Sequence, residues 1–158
     1  MIYVLYGQPG SGKSSLATLL KSDLVNNIIR SGQYSPKIPI IIDGDELRSL
    51  FNNTDYSKNG REHNIKGANL IASYISKSQS KDVIMALVNP YKHLRDELVN
   101  NNTDVVQILL QTSRTIKKEY HVDQFEMGEP DYIINTDKPL EDTYNELKQK
   151  LLCDHLRS

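Results

Sequence analysis

The sequence lacks the features that mark disulfide-stapled, membrane-spanning and polyanion-coating proteins. It has one cysteine, Cys153, so no disulfide can form within the chain. No apolar run approaches the roughly 20 residues that a transmembrane helix requires. Lysine and arginine total 19 against 20 acidic residues, a net charge of −1, whereas a protein that coats nucleic acid needs a strongly basic balance. The chain also starts on a strand-like segment instead of a signal peptide. We therefore expect a cytoplasmic protein with no membrane partner.

The length and composition fit one ordinary globular unit. A chain of 158 residues can bury roughly 70% of the surface that its unfolded form exposes. Hydrophobic residues make up 38% and charged residues 25%, which argues against disorder. We therefore expect a single domain over residues 1–158.

Apolar runs and helical periodicities alternate along the chain. The short apolar runs predict strands at residues 2–6, 38–43, 83–88, 105–110 and 131–135. Apolar residues three or four apart predict helices at residues 16–28, 46–51, 65–75, 91–98 and 140–151. Residues 52–60 read as a polar loop. This alternation predicts an α/β fold, a parallel sheet with helices on both faces, whose ligands bind at the carboxyl ends of the strands.

A glycine-rich segment lies between the first predicted strand and the first helix. Residues 7–14 read GQPGSGKS, which fits the phosphate-binding pattern G-x-x-x-x-G-K-[ST]. Backbone N–H groups of such a loop converge on phosphate oxygens, and the helix N-terminus adds partial positive charge. Lys13 should reach the β- and γ-phosphates, and the Ser14 hydroxyl should hold Mg²⁺. The predicted cofactors are ATP and Mg²⁺, and the predicted ATP-binding residues of this segment are Gly7, Gln8, Pro9, Gly10, Ser11, Gly12, Lys13, Ser14 and Ser15.

A carboxylate suited to catalysis ends the second predicted strand. Asp43 emerges where the sheet meets the phosphate loop, so it can accept a proton from an attacking hydroxyl or order a metal-bound water. Ser14 and Asp43 are the predicted metal-binding residues. We predict Asp43 and Lys13 as catalytic residues. Asp45 is either a functional carboxylate or the N-cap of the helix that follows. Arg48 is either a solvated surface arginine or a bidentate clamp on an anionic acceptor.

Several motifs, in order, resemble those of the adenylylsulfate kinase family, which transfers the γ-phosphate of ATP to the 3′-hydroxyl of adenosine 5′-phosphosulfate. Besides the phosphate loop, they are DGDELR at residues 43–48, YS at 56–57 with Arg61 and Asn64, NPY at 89–91 with Arg95, and VD with FE at 122–126. The resemblance implies a P-loop kinase sheet of order 2-3-1-4-5, a homodimer and a small-molecule nucleotide acceptor. It places the acceptor on Asp45, Arg48, Tyr56, Arg61, Asn64, Asn89, Pro90 and Tyr91.

The chemistry of these residues suits that acceptor. Two guanidinium groups and an amide can bind a phosphosulfate, and the Tyr56 ring can stack on a purine. The alternative for Arg61 and Asn64 is that they only cap and solvate the helix they open.

The chain departs from the family after the fourth strand, where family members carry a long lid. Here the chain passes from Thr112-Ser113-Arg114 to Val122-Asp123 in about ten residues, and a shorter lid encloses less of the acceptor. Two alternatives therefore stay open: a kinase for a nucleoside, nucleic-acid end or modified base, and an ATP-binding module without phosphoryl transfer. Arg114, with Lys117 and Lys118, is predicted to close over the ATP phosphates.

Overall fold

The computed structural model describes residues 1–32, 37–116 and 118–155, with side chains up to residue 152. The strands in these residues are β1 (Ile2–Tyr6), β2 (Ile40–Asp43), β3 (Val83–Leu87), β4 (Val105–Gln111) and β5 (Tyr132–Asn135). They form one sheet of order β2-β3-β1-β4-β5, and each neighbouring pair is parallel. The strand order implied by the resemblance is therefore confirmed.

Helices cover both faces of the sheet. They are α1 (Lys13–Arg30), α2 (Gly44–Leu50), α3 (Lys58–Gln79), α4 (Lys92–Asn101) and α5 (Leu140–His155), with a 3₁₀ turn at Lys118–Tyr120. Val4 packs with α2, α3 and α4 on one face, whereas its neighbour Leu5 packs with α1 and α5 on the other. The predicted α/β class is thus confirmed. Within the described part of the chain, no helix is long and apolar enough to cross a membrane.

Both faces of the sheet are closed by apolar side chains at helical spacing. In α1, Leu16 and Leu20 are almost fully buried, and in α3 Ile65 and Ala72 are buried on the opposite face. Burying a leucine or isoleucine side chain stabilises the fold by roughly 1.5–3 kcal/mol. These two cores fix the helices against the sheet and hold the loops at the strand ends in place.

Several element boundaries differ from the sequence-based prediction. Strand β2 begins at Ile40, after Pro39, whose ring nitrogen cannot donate to a neighbouring strand. Helix α3 begins at Lys58, inside the predicted loop, because the Ser57 hydroxyl accepts the Gly60 N–H and caps the helix. Helix α2 begins at Gly44, immediately after β2.

The register of the sheet brings the carboxyl ends of three strands, β1, β2 and β3, together. Tyr6 pairs with Leu87, and Asp43 pairs with Ala86, so β1, β2 and β3 end at one edge. The Gly7 N–H donates to the Val88 carbonyl at 3.3 Å, joining the phosphate loop to the end of β3. The phosphate loop, Asp43 and the segment that follows β3 therefore meet at the carboxyl edge of the sheet.

Candidate functional site

The phosphate loop connects β1 to α1 in a tight turn. Gly10 and Gly12 have φ of 79° and 87°, in the left-handed region that glycine adopts without a side-chain clash. The Lys13 ammonium donates to the carbonyls of Gly7 and Gln8, at 3.0 and 2.8 Å. Lys13 therefore lies within the phosphate loop, and its positive charge suits the ATP phosphates that it is predicted to bind.

The two carboxylate oxygens of Asp43 accept hydrogen bonds from different partners. Oδ1 accepts the backbone N–H groups of Asp45 and Glu46 at 2.9 and 3.3 Å, which makes Asp43 the N-cap of α2. Oδ2 accepts the Ser14 hydroxyl at 2.6 Å. The alternative that Asp45 caps this helix is therefore wrong, because the helix begins one residue before Asp45. The cap aims the second oxygen of Asp43 at the phosphate loop.

The donor set at Ser14 and Asp43 suits Mg²⁺. The ion prefers oxygen ligands and is commonly held by one or two protein groups together with substrate phosphates. A hydroxyl and a carboxylate already in contact at the mouth of the phosphate loop meet that requirement.

A cavity of about 480 Å³ runs from the phosphate loop across the ends of β2 and β3. This volume falls in the usual range of small-molecule sites, which is about 300–1,000 Å³. The predicted residues that line it are Pro9, Gly10, Gly12, Lys13, Ser14, Ser15, Asp43, Asp45, Arg48, Tyr56, Arg61, Asn64, Asn89 and Pro90. The phosphate loop and most of the predicted acceptor residues thus share one cavity.

Arg48 forms part of the cavity wall and is only 9% exposed. Its Nη1 donates to the carbonyls of Asp55 at 2.8 Å and Asn53 at 3.3 Å, and its guanidinium lies 4.4 Å from the centre of the Tyr56 ring. Burial lowers the pKa of Arg48, but an arginine stays charged at neutral pH. The alternative of a solvated surface arginine is therefore wrong.

Arg61 joins two segments that are distant in sequence. Its Nε donates to the Tyr56 carbonyl at 2.9 Å, and its Nη2 donates to the Tyr120 carbonyl at 3.1 Å. Asn64, one turn further along α3, donates to the Gly44 carbonyl at 3.3 Å, and its Oδ1 is buried with no partner among the described residues. Both side chains face the cavity, so they do more than solvate their helix.

Asn89 and Pro90 follow β3 and line the same cavity. Asn89 has a φ of 42°, and Arg95 donates to its carbonyl at 2.5 Å. The Asn89 carboxamide is buried, and neither its nitrogen nor its oxygen has a partner in the described part of the chain. A buried amide without partners is costly, which suits a group that a ligand completes.

Other predicted site residues lie away from the cavity wall. Tyr91 is 8% exposed and packs in the core beside α3 and α4. Arg114 donates to the Thr136 carbonyl at 2.8 Å and to the Thr112 hydroxyl at 3.0 Å. Lys117 lies outside the described residues, and Lys118 begins the 3₁₀ turn. Gly7, Gln8 and Ser11 belong to the phosphate loop without lining the cavity. The roles of Tyr91 and Arg114 stay predictions.

The sequence reasoning missed Tyr120. Its ring lines the cavity and lies 4.7 Å, centre to centre, from the Tyr56 ring. Such a distance is a direct aromatic contact. Tyr120 lies in a short segment without periodicity, so the only available signal was an aromatic residue in the shortened lid.

A known protein family and several solved structures are similar to this chain. The family model described as adenylylsulphate kinase matches residues 1–124. No curated protein matches the chain. Among solved structures, the APS kinase CysC of Mycobacterium tuberculosis, in complex with AMPPNP and APS, is 18% identical with a TM-score of 0.71, covering 95% of this chain and 96% of that one. Shikimate kinase from Aquifex aeolicus is 16% identical with a TM-score of 0.64, covering 100% of both chains. A gluconokinase from Sinorhizobium meliloti is 16% identical with a TM-score of 0.62, covering 98% and 94%. At these identities the solved structures show the shared fold.

Proposed function

The chain belongs to the adenylylsulphate kinase family, and on that basis we propose that it transfers the γ-phosphate of ATP to the 3′-hydroxyl of adenosine 5′-phosphosulfate. Family and fold make it a P-loop kinase, that is, a phosphotransferase. The identity of the acceptor is the part of the proposal that needs its own support.

That support comes from the charge on the cavity wall. Arg48 and Arg61 lie on the same cavity as Lys13, Ser14 and Asp43. A cavity with cationic groups at its acceptor end suits an acceptor that is itself an anion, such as a phosphosulfate. Asn64 adds an amide oxygen that can accept a hydroxyl of the acceptor.

The roles of the residues follow from their positions. Lys13 and the loop N–H groups would hold the phosphates of ATP, and most of the rate gain would come from aligning them with the acceptor hydroxyl. Oδ2 of Asp43 would orient that hydroxyl and take its proton, since Oδ1 is fixed by the helix cap. Ser14 and Asp43 would hold Mg²⁺, which neutralises charge on the phosphates when bound.

One assay tests the proposal against its alternatives. Release of ADP from ATP is coupled to a spectroscopic readout, and adenylylsulfate, nucleosides and oligonucleotides are each added to the full chain. Stimulation by adenylylsulfate supports the proposal. Stimulation by nucleosides or oligonucleotides alone contradicts the acceptor, and the absence of stimulated turnover with any of them contradicts phosphoryl transfer to this class of acceptors.

A further inference from the structure

The shortened lid, described at residues 112–116 and 118–122, is fastened to the phosphate loop by the side chain of Gln8. Nε2 of Gln8 donates to the Val122 carbonyl at 2.8 Å, and the Val122 N–H donates to Oε1 of Gln8 at 3.1 Å. One carboxamide thus satisfies both backbone groups of one lid residue. Its own backbone remains part of the phosphate loop, while the side chain is directed to the lid.

The lid also touches the phosphate loop at a second place. A Cβ added to Gly10 would lie 2.7 Å from Cβ of Ile116, so the lid rests directly on the glycine. This close approach, and the φ of 79° at Gly10, both require glycine at that position. The lid therefore contacts the phosphate loop at two residues, Gln8 and Gly10.

Between these contacts the lid carries Tyr120 to the acceptor end of the cavity. The Tyr120 carbonyl accepts Nη2 of Arg61, across 59 positions of the chain, and its ring lies against the Tyr56 ring. Arg61 holds one side of this lid segment, and Gln8 holds the other at Val122. Tyr120 is thereby fixed on the wall formed by Arg48, Tyr56 and Arg61.

We propose that Gln8 is a positioning residue for the acceptor: it holds Val122 and thereby keeps Tyr120 on the wall of the acceptor site. The inference rests on the proposed function, since that function assigns this wall to the acceptor. Gln8 acts through Tyr120, because its own side chain does not line the cavity in the described structure. Losing both hydrogen bonds should shift the lid toward its detached state by about tenfold or more.

The test that needs no substrate is hydrogen exchange of the lid. In Gln8→Leu the amide of Val122 loses its acceptor, and we expect exchange across residues 118–122 to accelerate about tenfold. The matched control is Gln124→Leu, which makes the same change at an exposed residue close to Val122. Equal exchange rates in Gln8→Leu and the unmodified chain would overturn the proposal, whatever the activity.

Kinetics test the link to the acceptor. With adenylylsulfate we expect Gln8→Leu to raise the acceptor KM about tenfold and the ATP KM less than twofold, because the loop contacts phosphate through its backbone. Tyr120→Ala should have a similar effect, and the double variant should be no worse than Tyr120→Ala alone. Additive effects, or a rise confined to the ATP KM, would contradict the proposal. If adenylylsulfate is not phosphorylated by the unmodified chain, the proposed function fails and the exchange experiment alone decides the role of Gln8.

Discussion

The hydroxyl of Ser14 donates a hydrogen bond of 2.6 Å to Oδ2 of Asp43, which lies 29 positions further along the chain. Oδ1 of the same carboxylate caps α2. The first helix and the second strand are thus joined at the point where phosphate, metal and acceptor hydroxyl are proposed to meet. The Asp43 side chain is therefore both a helix cap and the proposed catalytic carboxylate, and substitutions can separate the two roles.

Asp43→Asn should keep the N-cap of α2 and lose most of the phosphoryl-transfer activity. Asparagine is as good an N-cap as aspartate, so the free energy of unfolding should change by less than about 0.5 kcal/mol. The amide cannot take a proton and is a poor Mg²⁺ ligand, so kcat should fall by about 10²–10⁴-fold. Steady-state kinetics and urea denaturation measure the two effects on the same sample.

Asp43→Ala is the companion variant, because it removes the cap as well. We expect the same loss of kcat together with about 1 kcal/mol of lost stability. If Asp43→Asn were fully active, the carboxylate would not take part in the reaction. If both variants were equally destabilised, the cap would not be the reason.

Lys13→Ala should lower phosphoryl transfer by about 10²–10³-fold and leave the fold intact. The Lys13 ammonium donates hydrogen bonds to groups of its own loop, at Gly7, Gln8 and Ser11, and Lys13 belongs to neither apolar core. Removing a charge that stabilises the transferred phosphoryl group typically costs about 10²–10³-fold in kcat. Circular dichroism and the melting temperature report on the fold, and Lys66→Ala, an exposed position on α3, is the control. Unchanged turnover in a folded Lys13→Ala variant would refute the assignment.

Much of this architecture could be read from the sequence, because each strand is a short apolar run and the phosphate loop, Asp43 and Asn89 each stand at the end of one. The phosphate loop after β1 and Asp43 at the end of β2 were placed correctly by that rule alone, since parallel strands end at one edge. The strand order came from the resemblance to a family, because periodicity does not say which strands are neighbours.

What the sequence did not reveal depends on contacts between distant segments. The sequence left open whether Arg48 is a solvated surface arginine or a clamp on the acceptor, and only the carbonyls of Asn53 and Asp55 show why it can be buried. Tyr120 gave no periodic signal, and its partner Tyr56 lies in another loop. The Gln8 side chain occupies a position that the phosphate-loop pattern leaves free, so the pattern could not assign it a role.

Arg95→Lys should destabilise the fold although the charge is kept. Arg95 is 1% exposed and spans two carbonyls, those of Asn89 and Glu126, both at 2.5 Å. Its guanidinium also lies 4.3 Å from the centre of the Tyr6 ring. An ammonium is a point charge and cannot span both carbonyls in this geometry, so we expect a loss of about 2–3 kcal/mol. Urea denaturation measures it, with the exposed Arg30→Lys as control. Equal stability of the two variants would contradict this role.

Asp23 joins α1 to the closing helix α5. Its Oδ2 accepts the Tyr144 hydroxyl at 2.8 Å and lies 2.7 Å from the Lys148 ammonium. The hydrogen bond from Lys148 is the largest cause that lowers the pKa of Asp23, and the bond from Tyr144 adds to it. Burial raises the pKa of Tyr144, and its bond to Asp23 raises it further, so Tyr144 remains a donor at neutral pH.

Asp23→Asn should therefore lower stability in a way that depends on pH. Since the pKa of Asp23 is lower in the folded chain, the unfolded chain binds more protons between the two pKa values. The contribution of Asp23 is complete above its unfolded pKa of about 3.9 and is lost as the pH falls through the folded pKa. We expect a deficit of about 1 kcal/mol at pH 7 that shrinks below about pH 4. Urea denaturation from pH 3 to pH 7 measures it, with the exposed Glu97→Gln as control. A deficit that stayed constant over this range would show that the Asp23 carboxylate contributes nothing through its charge.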